Sequence, residues 1–136
     1  MQKTRPSPLL NTALPPSFRK IRLELAREAA HPDGAAGIAY IIVAPLDSDG
    51  RIDAHAWKQH REACRVVRER PDGDTRLGHL LHKPGGSWAF HYDITQDAPD
   101  EAGHHFSNER FAPGEYVSLH EEGALHTFRI VTVERL

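Results

Sequence analysis

The chain has 136 residues, 39% of them hydrophobic and 26% charged, with a formal net charge of −2. That is enough for one domain with its own core and no disulfide or metal staple, and 17 basic against 19 acidic side chains argue against a dedicated nucleic-acid binder. The longest apolar run, Ile38 to Pro45, is far shorter than the roughly 20 residues of a membrane helix, and the single cysteine, Cys64, cannot close an intramolecular bridge, so the expected home is the cytoplasm, away from any membrane.

Residues 1–17 carry Pro6, Pro8, Pro15 and Pro16 among polar neighbours. Proline's fixed φ and missing donor predict a flexible tail there, ahead of a single domain over residues 18–136. The tail holds no continuous apolar stretch of the roughly 7 to 15 residues that a secretion signal needs. From Phe18 to Glu28, Ile21, Leu23 and Leu25 alternate with Arg22, Glu24 and Ala26, which predicts an amphipathic strand. His31-Pro-Asp-Gly34 reads as a turn. The unbroken apolarity of Gly37 to Ala44 predicts a strand covered on both faces, the centre of the sheet, ended by Pro45.

After the polar turn from Leu46 to Ile52, Asp53 is placed to cap a helix predicted over residues 54–68, whose Trp57, His60, Cys64 and Val67 share the face that packs on the sheet. Pro71-Asp-Gly-Asp74 marks a further turn. Strands are predicted from Arg76 to His82 and from Ser87 to Asp93, joined through Lys83-Pro-Gly-Gly86, whose Pro-Gly centre suits a type II turn. That connection sets Leu81 opposite Trp88, His79 opposite Phe90 and Leu77 opposite Tyr92, leaving Gly78, Leu80, His82, Ala89 and His91 on the other face. Thr95 to Pro113 is polar and aperiodic and reads as a loop, with a short strand near Phe106. Gly114 to Glu134 is the clearest stretch, two alternating runs joined at Glu121-Glu122-Gly123 as a β-hairpin.

Ten histidines invite a metal site. His79 and His82 are an odd number of residues apart along a strand, so they point to opposite faces, and His82 and His91 share a face only at about 13 Å along the expected hairpin. A divalent transition metal such as zinc needs instead His120 and His126 with His104 or His105. His120 and His126 share a face if the hairpin loop has three residues and a glycine bulge, the form that Gly123 slightly favours, and point apart if it has two. So many imidazoles also admit a surface whose self-association changes between about pH 5.5 and 7.5.

Three other patterns weaken on inspection. His60 and Cys64 have the spacing of a nucleophile pair, but on a buried face cysteine behaves as a small hydrophobe. Asp47-Ser-Asp-Gly-Arg-Ile-Asp53 copies the middle of a calcium loop, yet Pro45 and Ala56 stand where the first and last ligands belong, so its acids are read as those of a turn and a helix cap. Arg61, Arg65, Arg68, Arg70 and Arg76 form a basic series that Glu62 and Glu69 interrupt.

The segments APLDSDGRIDAHAWKQHREACRV, GHLLHKPGGSWAFHYD and FAPGEYVSLHEEGALHTFRIV resemble a group of small uncharacterised bacterial proteins, over most of residues 18–136. The resemblance implies a shared fold and assigns no activity. The order of elements predicts an α+β domain, a largely antiparallel bent sheet or partly open small β-barrel of about six strands packed on one α-helix. The function expected is that of a noncatalytic module that binds a protein partner, or its own copy, through a sheet face and the loop bearing His104, His105, Asn108 and Arg110. The alternative is a metal-binding protein or metal-dependent enzyme built on His104, His105, His120 and His126.

Overall fold

A computed structural model describes residues 14–93, 106, 108–121 and 123–136, and the backbone of residues 101–104. Eight antiparallel strands follow one another around a closed barrel: β1 (Phe18–Leu25), β2 (Ala35–Pro45), β3 (Arg65–Glu69), β4 (Thr75–His82), β5 (Trp88–Tyr92), β6 (Glu101–His104), β7 (Tyr116–Glu121) and β8 (Ala124–Arg135). β8 returns to β1, with Arg19 opposite Arg135 and Leu25 opposite Phe128. The antiparallel, sheet-rich architecture is the one expected. The strand count and the closure exceed the expectation of about six strands in a bent sheet or partly open barrel.

Alternation decides which side chains fill the barrel. Ile21, Leu23 and Leu25 of β1 point inward with Tyr40, Ile42 and Ala44 of β2, and Leu80, Phe90, Leu119, Phe128 and Ile130 complete the interior. Aromatic rings run through it: Tyr40 lies 5.3 Å from Phe90 and 5.2 Å from Phe128, and Phe90 leads to Phe106 at 5.9 Å. Burying each such side chain stabilises the fold by about 1.5–3 kcal/mol. The outward faces carry Lys20, Arg22, Glu24, Arg65 and Arg129, unlike the apolar outer band of a membrane barrel. Among the described residues no helix is long and apolar enough to cross a membrane.

The helix is much shorter than its sequence pattern. It spans α1 (Ala54–Gln59), capped by Asp53, whose carboxylate accepts from the amides of His55 and Ala56 at 3.0 and 3.1 Å. A 3-10 turn, Arg61–Ala63, follows, and the chain then enters β3. Trp57, His60, Cys64 and Val67 therefore share no helical face. Trp57 lies across one end of the barrel and donates its indole N–H to the Leu80 carbonyl at 2.8 Å. This is the capped end; the loops from β1 to β2, β3 to β4 and β7 to β8 gather at the other, polar end.

One register differs from expectation, and a second, open between two loop lengths, is fixed. Lys83 N donates to Ser87 O at 2.7 Å, which leaves Gly86, at φ +94°, as a third loop residue, so His82 pairs with Trp88, Leu80 with Phe90 and Gly78 with Tyr92. His79 thus shares a face with His91, and His82 does not. In the last hairpin Glu121 pairs with Ala124, which leaves a two-residue loop and not the bulged form. The strand expected near Phe106 lies earlier, at β6, between Ala89 and His120. Of the expected tail, residues 1–13 lie outside the described residues, and Leu14 to Ser17 are tied to the barrel: Pro15 O accepts from Phe18 N at 3.2 Å and Ser17 O from Leu46 N at 3.0 Å.

Candidate functional site

At the capped end, Phe106 and Phe111 drop their rings into the core 5.2 Å apart, and Phe111 N donates to Gly50 O at 2.8 Å. These anchors fix a loop that leaves Asn108 and Arg110 exposed. Arg110 lies against Gly50, where a Cβ would meet its Cγ at 3.0 Å, and with Ser48, Asp49 and Arg51 bounds a hollow of about 540 Å³. Asp47 accepts from the amides of Asp49 and Arg51 at 2.9 and 3.0 Å, so that acid holds its own turn together. Of the expected loop site, Asn108 and Arg110 are both exposed on this loop, and Arg110 alone of the two borders the hollow. The backbone of His104 lies opposite Ser118, and His105 lies outside the described residues.

The two-residue hairpin sends His120 and His126 to opposite faces. His120 is exposed, opposite Leu125. His126 stands opposite Leu119 and donates from Nδ1 to Glu28 at 2.9 Å. The shared strand face that a joint site on His120 and His126 calls for is therefore not formed. The other imidazoles are dispersed: His79 accepts from Arg65 and donates to Asp93, both at 2.9 Å, while His82 stacks on Trp88 at 4.2 Å. Among the described residues no three His, Cys, Asp or Glu side chains converge on a metal position.

The polar end holds a buried charge cluster that no local pattern announces. The Glu121 carboxylate accepts from the Tyr40 hydroxyl and from Arg70, and Arg68 Nε lies 4.0 Å away. Arg68 also reaches Asp74 at 3.7 Å, and Arg76 reaches it at 3.6 Å. The side chains of Arg68 and Glu121 are each 8% exposed, so their charges need one another. Burial by itself would lower the Arg70 pKa, but the Tyr40 hydrogen bond and the Glu121 charge outweigh it and raise that value. The expected basic series is consumed in such contacts, with Arg65 on His79 and Arg61 5.0 Å over the Trp57 ring. Cys64 is fully buried, and burial pushes its thiol up to about 12, which removes it as a nucleophile.

On the flank of the barrel, the arm from Ala26 to Ala36 overhangs β8 and β7 and forms a cleft of about 580 Å³. Arg27, Asp33, Tyr116, Thr127 and Arg129 line it, and none of them figured among the sequence candidates. Their only signal is the pairing of β1 with β8, which sets Glu24 opposite Arg129.

These features define a small closed antiparallel barrel with an interior filled by aromatic and aliphatic side chains and a charge cluster buried at its polar end. No family model, curated protein or solved structure matches the chain.

Proposed function

We propose that the chain is a noncatalytic cytoplasmic binding module that holds a protein partner, or a second copy of itself, through the loop at the capped end. The observation that carries this reading is the filled interior. Small barrels that enclose a ligand leave room inside, whereas Trp88, Tyr40, Phe90, Phe106, Phe111 and Phe128 occupy the space here with less than about 2% of each exposed. Binding then belongs to the outer surface, where a rigid scaffold supports an exposed loop. Asn108 and Arg110 supply a polar pair on such a loop, held in place by the Phe106 and Phe111 anchors. His104 and His105 belong to the same proposed surface by their place in the chain.

The test compares the protein with an Asn108→Ala/Arg110→Ala variant in affinity capture from lysate and in sedimentation. A prey or a dimer present with the original chain and lost with the variant supports the reading. Equal capture and equal sedimentation by both proteins sink it.

A further inference from the structure

Five described arginines are held in ion pairs: Arg22 pairs with Glu24 and Glu69, Arg51 with Asp49, Arg68 and Arg70 with Glu121, and Arg76 with Asp74. Arg27 and Arg129 have no ion pair or side-chain hydrogen bond among the described residues, and both line the flank cleft. Glu24, the acid across from Arg129, is held by Arg22 at 2.8 Å. The unpaired charges of the lining are therefore two arginines against Asp33 alone. Tyr116 pairs with Arg129 across β7 and β8 and is 55% exposed, which leaves a flat aromatic surface beside a guanidinium.

The walls are built before any ligand arrives. Ala26 N donates to Thr127 O at 3.0 Å, and the Glu28 carboxylate takes the His126 ring at 2.9 Å, so the arm is fastened to β8 at two points. Gly34, at φ +78°, turns the arm back so closely that a Cβ would lie 2.8 Å from Leu25 O. A preformed cleft spares the ordering cost of binding, and its size falls in the range of about 300–1,000 Å³ typical of small-molecule sites.

We infer that this cleft binds a small aromatic oxyanion, a carboxylate or a phosphate, with Arg27 and Arg129 taking the oxyanion and the Tyr116 ring lying against the flat aromatic body. Guanidinium forks suit carboxylate and phosphate alike. The site is separate from the loop of the capped end, and neither reading depends on the other.

The test is a titration of the isotope-labelled full chain with phenyl phosphate and with benzoate at low salt, read by amide chemical shifts, with benzamidine as the cationic control. Saturable shifts at Ala26, Gly34, Thr127 and Arg129 are expected with at least one oxyanion, and the tighter of the two identifies the group. Loss of a charge-assisted hydrogen bond in Arg27→Gln or Arg129→Gln should weaken binding about tenfold or more. Both arginines are exposed, so the rest of each spectrum should stay unchanged. Tyr116→Ala should weaken binding several-fold as well. The proposal is overturned if neither oxyanion gives saturable shifts up to about 20 mM, if benzamidine binds as tightly, or if a folded double arginine variant binds undiminished.

Discussion

Gly78 and Tyr92 face each other across β4 and β5 with no space for a side chain on the glycine: a Cβ there would lie 2.3 Å from the His91 carbonyl oxygen and 2.9 Å from Tyr92 Cδ1. The ring covers the glycine's missing side chain, and the pairing fixes the register of the strand pair.

Gly78→Ala should therefore destabilise the fold by about 1–3 kcal/mol, the usual cost of overpacking, measured as a fall in the urea midpoint. Because the closest obstruction is backbone oxygen, removing the ring in Gly78→Ala/Tyr92→Ala should not restore the loss. Rescue by the second substitution would contradict this geometry.

Glu121 is the acceptor shared by Tyr40 and Arg70. Glu121→Ala leaves buried positive charge without that carboxylate, and breaking such a pair costs about 3–5 kcal/mol. Tyr40→Phe removes one neutral donor and should cost less, about 1–3 kcal/mol. Equilibrium unfolding of both variants should rank them in that order.

The Glu28 carboxylate is held below its ordinary value of 4.5, first by the His126 hydrogen bond and against the opposing effect of burial. A lowered carboxylate stabilises the fold fully above its unfolded value and loses that contribution as pH falls through the folded one. The unfolding midpoints of the original chain and of Glu28→Gln should thus differ at about pH 6 and converge toward about pH 3. A gap that persists in acid would show that the substitution acts through packing.

Cys64 should resist thiol reagents at about pH 8 in the folded protein and react at the ordinary rate once unfolded. Its modification rate should track the population of open molecules as denaturant rises.

The local signals in the chain were legible and the distant ones were not. The alternation of β1, the position of β2, the Asp53 cap and the Lys83–Gly86 turn all stand where the residues place them, but β2 is fully covered on its inward face only, because a closed barrel leaves Ile41 and Val43 on the half-exposed outer face. The helix expected to reach residue 68 fails because its apolar spacing was shared by a strand: Val66 is fixed between Ile42 and Gly78, a tertiary pairing that overrides helical periodicity. β6, Glu-Ala-Gly-His, has little strand propensity of its own and is defined by its neighbours. The same limit hides the sites. Tyr40 and Glu121 stand 81 residues apart, and the walls of the flank cleft meet only because β8 returns to β1. At the capped end, Asn108 and Arg110 were legible as polar residues on a long loop, whereas of the two phenylalanines that anchor it Phe106 read only as part of a short strand and Phe111 carried no signal.

Closure of the ladder has a last consequence. Among the described residues every strand has a neighbour on both sides, so the ladder has no edge strand to offer another chain. A companion molecule must read side chains and cannot join by adding a strand of its own. A substitution that parts the seam between β1 and β8 would expose two such edges at once, and a self-contained ring would become a template for fibres.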